Sequence, residues 1–268
     1  MSEVIESKEN IRWNPIKYKQ TEQIRISVCE ELFDWAKLKT LDHKKILDLG
    51  CGNGSIDHYL VNKYQNLSIT ALDNNKEMIE FSKNTYHHPN LYFTESDAQN
   101  FHFDMKFDYV ISLAALHWVE NQQQVLQCIY EHLNEGGKAL LLLYPEQPYL
   151  WKAVNHVITY DKWKIYFNHF KHGYYFYTEE TYRKLTVKIG FKINQIETVK
   201  ENYHYNTQEQ FEKLVSSWLP HLSQIPNHKH HEFLKDIGDL SLCLMKKKGI
   251  DNFADYRGLS LRVFLEKY

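Results

Sequence analysis

The sequence predicts an α/β fold in which helices cover both faces of a doubly wound, mostly parallel sheet. Two observations lead to this prediction. Short apolar runs alternate with amphipathic stretches from residue 45 to residue 144, which is the pattern of repeated strand–helix units. The run Lys45–Gly54, KILDLGCGNG, also places a glycine-rich turn directly after a predicted buried strand. Folds of this class bind ligands at the carboxyl ends of their strands, so functional residues are expected at that edge.

A helix is predicted ahead of the first strand. The motif Trp13-Asn14-Pro15 is followed by Tyr18. Apolar residues then recur with a helical period at Ile24, Val28, Leu32, Phe33, Trp35 and Leu38. By itself this pattern is equally typical of a plain packing helix and of a helix with a role at a binding site.

The first strand leads into glycines at every second position: Gly50, Gly52 and Gly54. Asp48 lies at the end of the strand, and Ser55 opens an amphipathic stretch that predicts a helix. A strand that turns sharply into a helix gathers backbone N–H groups and the positive end of the helix dipole at one point. Glycines there permit positive φ and let a ligand approach the backbone. The alternative is a tight turn that binds nothing.

The second predicted strand, 67–72, ends at Asp73, which lies 19 residues after Gly54. A carboxylate at this place can accept hydrogen bonds from both hydroxyls of an adenosine ribose. The alternative is that Asp73 caps the predicted helix Lys76–Thr85, although Asn74 or Asn75 could do so instead. We favour the ribose role.

Three further parallel strands are predicted at 90–94, 107–113 and 138–143, with a helix at 122–133 that Gly136-Gly137 stops. The segment after the fourth strand carries His117 and Trp118. Because ligands bind at the carboxyl ends of such strands, both side chains are expected to face the cleft.

Aromatic residues crowd the chain beyond residue 145, in a stretch that reaches residue 177. We favour a packed core as the reason for this crowding, and an apolar substrate pocket is the alternative. A helix beginning after Thr178 and stopped at Gly190 leads to a sixth strand at 191–199, helices follow at 207–245, and a last strand ends near Leu265. We interpret residues 1–268 as one domain in which helical insertions at 145–180 and 200–250 form a lid and contact the substrate.

Composition excludes several classes of function. The chain has 268 residues and a net charge of -2, which gives no basic field for nucleic acid. Its four cysteines show no C-x-x-C pair, and the histidines at 228, 230 and 231 are typical of a solvated loop, so no metal is expected. No apolar run approaches the ~20 residues of a membrane span. We expect a cytoplasmic protein without membrane contact.

The glycine turn resembles the first motif of the class I S-adenosyl-L-methionine (SAM) methyltransferases, D/E-x-G-x-G-x-G, which Asp48, Gly50, Gly52 and Gly54 fill. The resemblance implies SAM as cofactor, a Rossmann-like sheet of seven strands with an antiparallel seventh strand between the fifth and sixth, and an N-terminal helix within 1–40 that closes over the cofactor. It also implies that Asp97 accepts from the adenine amino group, that Ala98 offers its backbone N–H, and that Met78 packs on the ring. The full set of implied cofactor residues is Tyr18, Asp48, Gly50, Cys51, Gly52, Gly54, Asp73, Asn74, Met78, Asp97, Ala98 and Leu113.

Two further motifs, W-N-P-x-x-Y at residues 13–18 and L-H-W-V-x-N-Q at 116–122, resemble the juvenile hormone acid and trans-aconitate carboxyl O-methyltransferases. In that family a tryptophan at the Trp118 position and a glutamine of the first helix hold the substrate carboxylate. Gln23 is the best match for the glutamine, with Arg25 as a competitor.

The predicted function is methyl transfer to the carboxylate of a small, apolar acid by in-line displacement. A carboxylate is ionised at neutral pH, so positioning suffices and no general base is needed. Alternatives are O- or N-methylation of a hydroxyl, phenol or amine with His117 as general base, a nicotinamide-dependent oxidoreductase, and a SAM-binding protein without catalysis. The oxidoreductase fingerprint needs G-x-G-x-x-G, whereas here the third glycine comes one residue early. A monomer or homodimer is expected.

Overall fold

The computed structural model describes residues 13–19, 21–201 and 205–268. Within these residues the sheet consists of β1 Lys45–Leu49, β2 Ser68–Asp73, β3 Leu91–Glu95, β4 Phe107–Leu113, β5 Leu133–Leu143, β6 Lys192–Lys200 and β7 Leu259–Glu266. The spatial order is β3-β2-β1-β4-β5-β7-β6. Strands β1 to β5 pair in parallel, and β7 runs antiparallel between β5 and β6. The predicted doubly wound, mostly parallel seven-stranded sheet is confirmed.

The helices of the described residues are α1 Pro15–Lys19, α2 Glu22–Trp35, α3 Ser55–Lys63, α4 Lys76–Thr85, α5 Gln122–His132, α6 Pro148–Val157, α7 Glu179–Ile189, α8 Gln208–Ser216 and α9 His230–Lys246. Their ends follow the sequence signals. Thr178 caps α7 by accepting the N–H of Thr181, and Gly190 ends α7 with φ +106°. Within this part of the chain, no helix combines the length and the apolar character needed to cross a membrane.

The central strands are buried on both faces, and successive residues enter different cores. Ile46 packs into a core that α2, α3 and α4 cover, whereas Leu47 packs into a second core that α5 and α7 cover. Continuous apolar runs such as that of β1 are therefore required, because neither face of the strand meets water.

One predicted boundary is wrong. Gly136 and Gly137 do not stop α5, which ends at His132 and passes directly into β5. Gly136 has φ +73°, and its N–H donates to the carbonyl of Lys267 at 2.9 Å. The glycines thus form an irregular start of β5 that pairs with the end of the chain, a partner that the local sequence does not reveal.

The chain divides into two compact units. The sheet unit comprises Asn14–Glu146, Tyr174–Lys200 and Leu259–Tyr268. The helical unit includes Gln147–Gly173 and Glu201–Gly258, and in it α9 packs against α6 and α8. Its interior is aromatic and includes the fully buried side chains Trp151, Trp163 and Phe233. The predicted helical insertions at 145–180 and 200–250 overlap this unit, and their action as a lid stays a prediction.

Candidate functional site

The glycine turn, Gly50–Gly54, has the backbone that its sequence predicts. Gly50, Gly52 and Gly54 lie in the left-handed region with φ of +79°, +57° and +73°. A Cβ at Gly50 would lie 2.2 Å from the Cβ of Ala115, and one at Gly54 would lie 2.6 Å from the ring of Phe93. Both positions therefore require glycine for conformation and for space. The contact with Ala115 also places the segment after β4 directly against the turn.

Asp73, at the end of β2, anchors the turn through backbone N–H groups. Gly52 donates to Oδ2 at 2.9 Å, and Asn75 donates to Oδ1 at 2.8 Å. The helix cap of α4 is Asn75, whose side-chain oxygen accepts the N–H of Met78 at 3.0 Å. The cap alternative for Asp73 is therefore wrong. A carboxylate oxygen can accept more than one hydrogen bond, so both oxygens of Asp73 can also accept from hydroxyls of a ligand. Burial raises the pKa of Asp73, and its backbone hydrogen bonds oppose that rise.

The N-terminal segment packs on the turn through Tyr18 and Arg25. A Cβ at Gly52 would lie 3.2 Å from the ring of Tyr18. The guanidinium of Arg25 lies 3.8 Å from the centre of the same ring, which is cation–π distance. Arg25 also donates to Asn53 Oδ1 and to Ser55 Oγ, both at 3.3 Å. Burial raises the pKa of Tyr18 and lowers that of Arg25. This segment therefore covers the turn from the side of the N-terminus.

Gln23, the predicted partner of the substrate carboxylate, is exposed on α2. Its competitor Arg25 is the residue of that helix that reaches the turn. Gln23 and Arg25 lie two positions apart, and the sequence motif did not decide between them. Because residues two apart on a helix point in different directions, only one of them can face the turn.

Asp48 and Asp57 form a buried carboxyl pair behind the turn. Asp48 is 3% exposed, and Asp57, in the first turn of α3, is fully buried. Apart from a proton on one of the two carboxyls, no described group donates a hydrogen bond to Oδ1 of Asp48 or to either oxygen of Asp57. Burial raises the pKa of both, that of Asp48 to about 7. The raised pKa values keep at least one of the two carboxyls protonated near neutral pH. The family motif indicated Asp48, but nothing in it indicated Asp57.

The remaining predicted cofactor residues lie around this edge in different environments. Asp97 is exposed beyond β3 and accepts the backbone N–H of Gln99 at 2.8 Å, and Ala98 packs against the core. Met78 is buried on α4, whereas Asn74 is exposed beside it. Two partly buried residues pack against the core that α2, α3 and α4 cover, namely Cys51 in the turn and Leu113 at the end of β4. Burial also raises the pKa of the Cys51 thiol well above its ordinary value, which keeps it uncharged.

An aromatic segment lies next to the glycine turn; it comprises Ala115–Trp118 together with Tyr144 and Tyr174. The His117 ring stacks on Tyr174 with centroids 4.5 Å apart, and Trp118 meets Tyr174 edge-on at 4.7 Å. The Tyr174 hydroxyl donates to the carbonyl of Tyr144 at 2.9 Å, and Tyr175 donates its N–H to the carbonyl of His117 at 2.8 Å. Residues 174–175 therefore fix the orientation of both predicted catalytic side chains.

His117 and Trp118 differ in exposure. His117 is 4% exposed, and its Nδ1 accepts the backbone N–H of Tyr144 at 3.3 Å. That bond leaves the proton on Nε2, and burial lowers the pKa of the ring to about 3. The ring is thus neutral and a very weak base. Trp118 is partly exposed, as are Ala115 and Tyr144 of the same segment.

The arrangement fits SAM as a ligand. The end of β1 provides a glycine turn whose backbone a ligand can approach. The end of β2 provides the Asp73 carboxylate, which does not cap a helix. Asn53, which was not predicted as a site residue, is 1% exposed and accepts from Arg25 while its amide group donates to the Pro15 carbonyl at 3.5 Å. The available sequence signal was its position between Gly52 and Gly54. Among the described residues, no group of three metal-binding side chains is present.

Comparisons with known proteins agree with the fold and with a methyltransferase. Residues 46–137 match the family described as "Methyltransferase domain". The chain is 24% identical over 225 residues to a protein of Invertebrate iridescent virus 6 whose name, 235L, carries only a general methyltransferase assignment; the match spans 84% of this chain and 83% of that protein. It is 24% identical over 207 residues to the juvenile hormone acid O-methyltransferase of Bombyx mori, across 73% of each chain. The structure of coclaurine N-methyltransferase bound to N-methylheliamine and SAH has the same fold, with a TM-score of 0.59, 16% identity, and coverage of 91% of this chain and 72% of that one.

Proposed function

Because this chain is a class I SAM-dependent methyltransferase, we propose that it transfers the methyl group to the carboxylate of a small, apolar acid. The observation that carries this proposal is the state of His117. Its ring is buried and neutral, and its Nδ1 is already bonded to the backbone of Tyr144. An acceptor hydroxyl or phenol would have to lose a proton during the reaction, and a group with a pKa of about 3 is a poor general base at neutral pH.

A carboxylic acid arrives already ionised and needs no base. Tyr174, which packs on Trp118, does not supply one, because burial raises the pKa of its hydroxyl well above the ordinary value. The aromatic character of this segment also favours an acceptor with an apolar body. The likeness to a juvenile hormone acid O-methyltransferase, whose name states a carboxylic acid substrate, supports the same choice.

SAM, when bound, supplies a methyl group that its sulfonium already activates. The chain's own residues then have to bind, orient and exclude water. We assign Asp73 to the ribose hydroxyls, the glycine turn to the remainder of the cofactor, and Tyr18 to covering that turn. Trp118 is assigned to orienting the acceptor, since an indole offers one N–H donor and a flat apolar face. Positioning of this kind accounts for ~7–11 kcal/mol of barrier reduction in favourable cases.

The test is methyl transfer from radiolabelled SAM to a matched panel of acceptors. Each apolar skeleton is offered as the acid, the alcohol and the amine, so that only the reacting group changes. We expect label to appear as a base-labile methyl ester, with the acids only. Label on an alcohol or an amine at comparable rates would contradict the proposed acceptor class.

Two variants separate the roles of the aromatic segment. Trp118→Phe should lower kcat/KM for the acid by about tenfold or more while S-adenosylhomocysteine (SAH) binds as before, because only the acceptor loses a contact. Trp35→Phe is the matched control, since Trp35 is also partly buried but donates its indole N–H to Glu197.

With an acid as substrate, kcat should stay flat from pH 6 to pH 8.5; a rise with an apparent pKa in that range would indicate a general base and contradict this assignment.

A further inference from the structure

Three carboxyl groups lie around the glycine turn. Asp48 is near the end of β1, Asp57 is in the first turn of α3, and Asp73 ends β2. Asp48 is 3% exposed and Asp57 is fully buried, and within residues 13–19, 21–201 and 205–268 neither of the two forms an ion pair. Two touching carboxyls of this kind resist complete ionisation, because each negative charge disfavours the other and water does not reach them.

The groups that surround the pair bring no positive charge to it. From β2, Asp73 acts on Asp48 as a further carboxylate. Cys51 of the turn and Cys29 of α2 also face the pair, and burial keeps both thiols uncharged. Among the described residues, no lysine, arginine or histidine is a principal cause of the pKa shift of either carboxyl, although Arg25 donates to the first residue of α3. A positive charge therefore has to come from a ligand.

The negative charge of these carboxyls reaches the glycine turn, as the thiol of Cys51 in that turn shows. Burial is the largest cause of its raised pKa, and Asp57, Asp73 and Asp48 raise it further. Charges act on each other over longer distances in a buried, water-poor region than in solvent. A charge on a ligand at the turn therefore acts on the pair without touching it.

SAM and its product SAH differ in exactly this property, their charge. Below pH 7 the amino group and the carboxylate of their amino-acid part are both ionised, and these two charges cancel. SAM keeps one positive charge on its sulfonium, whereas SAH, which has lost the methyl group, is neutral. A nearby positive charge favours the ionised form of a carboxyl, and a neutral ligand does not.

We propose that the Asp48–Asp57 pair distinguishes SAM from SAH by charge, releasing a proton when SAM binds and keeping it when SAH binds. The proton goes to solvent, the pair gains one negative charge, and the sulfonium balances that charge. The SAM complex then holds fewer protons than the free chain, so the affinity for SAM rises with pH while that for SAH does not. This inference rests on the cofactor position proposed above and is independent of the acceptor class.

The experiment is calorimetric titration of the cofactor-free full chain with SAM and with SAH, from pH 5.5 to pH 7, in two buffers of different ionisation enthalpy. The difference between the buffers measures the protons released for each ligand bound. Burial raises the pKa of Asp48 to about 7, so the free pair still holds a proton in this range. We expect SAM to release at least about 0.3 proton more than SAH, and the ratio of SAM affinity to SAH affinity to rise at least about threefold across the range.

Equal proton release by the two ligands would overturn the inference and leave the cofactor assignment intact. If neither ligand binds, the proposed cofactor site fails and the inference fails with it. Both outcomes are measured on the natural chain, so the test does not depend on the folding of a variant.

Asp57→Asn locates the proton. The amide keeps the size of the side chain and donates to Asp48, whose carboxyl should then be ionised throughout the range and have no proton to release. The variant should bind SAM and SAH with equal proton release and with an affinity ratio that does not change with pH. Asp34→Asn, at an exposed position of α2, is the matched control and should keep the natural difference. If Asp57→Asn also keeps that difference, the proton comes from another group and the role of the pair is wrong.

Discussion

The glycine turn and the aromatic segment touch through Gly50 and Ala115, yet they are built in opposite ways. The turn consists of backbone N–H groups, positive φ angles and carboxylates, all from residues close in sequence or at the end of a neighbouring strand. The aromatic segment is uncharged, and its side chains are held by Tyr174, which lies 57 residues beyond His117. This difference supports the proposal that the polar cofactor binds at the turn and the apolar acceptor at the aromatic segment.

The largest effect is expected from breaking the contact between the two regions. Gly50→Ala adds a Cβ 2.2 Å from Ala115 at a φ of +79°. Left-handed strain of ~1–2 kcal/mol and overpacking of ~1–3 kcal/mol should together lower the free energy of unfolding by about 2–5 kcal/mol. Gly136→Ala is the control, because Gly136 has φ +73° and open space around it, so it carries the strain alone. Urea denaturation of both variants measures the difference; equal losses would show that the contact is not tight.

Asp73→Asn tests whether the carboxylate is the cofactor group of the turn. Losing one charged hydrogen-bond acceptor costs ~1.5–3 kcal/mol, so SAH should bind about 10- to 100-fold more weakly. Glu95→Gln is the control, since Glu95 is the exposed residue paired with Asp73 in the register of β2 and β3. Calorimetry with SAH gives both affinities. Unchanged binding by Asp73→Asn would remove the ribose role.

Asn75→Ala tests whether the helix cap of α4 is separate from the proposed cofactor site. It removes the helix cap of α4 and should cost ~1 kcal/mol of stability while leaving SAH affinity within twofold. Its backbone N–H, which donates to Asp73, remains. Thr178→Ala, which removes the cap of α7, should cause a similar thermal destabilisation. A large loss of SAH affinity in Asn75→Ala alone would mean that the cap and the cofactor site are not separable.

The smallest effect concerns the Asp48–Asp57 pair and depends on pH. Carboxyls in an unfolded chain titrate near pH 4, whereas burial raises the pKa of both here, that of Asp48 to about 7. The folded chain therefore holds protons that the unfolded chain has released, and the stability due to the pair falls as pH rises from about 4 to 7.

Asp57→Asn replaces a carboxyl of raised pKa with a permanent amide donor beside Asp48. Relative to the natural chain, the variant should gain stability between pH 5 and pH 8, by on the order of 1 kcal/mol at the upper end. Asp34→Asn, at an exposed position of α2, is the control. Urea midpoints at four pH values test this, and a parallel pH dependence of the variant and the natural chain would argue against raised pKa values in this pair.

Local sequence was sufficient for the glycine turn because its constraints are local. Three alternate glycines after an apolar strand are typical of a turn with positive φ angles and close packing. Asp73 follows at the distance set by the length of one strand–helix–strand unit. The alternation of apolar and amphipathic stretches likewise predicted the strands, with starts within a few residues of those observed for all except β5.

Tertiary structure decided what depends on distant partners. Whether Gln23 or Arg25 faces the turn depends on the rotation of α2 against the sheet, and whether His117 is a base depends on Tyr144 and Tyr174 burying its ring. Asp57 acquired its role only when α3 folded back against β1 and placed a second carboxyl beside Asp48. In each case the chemistry follows from desolvation and from partners distant in sequence, whereas the turn follows from backbone conformation that neighbouring residues determine.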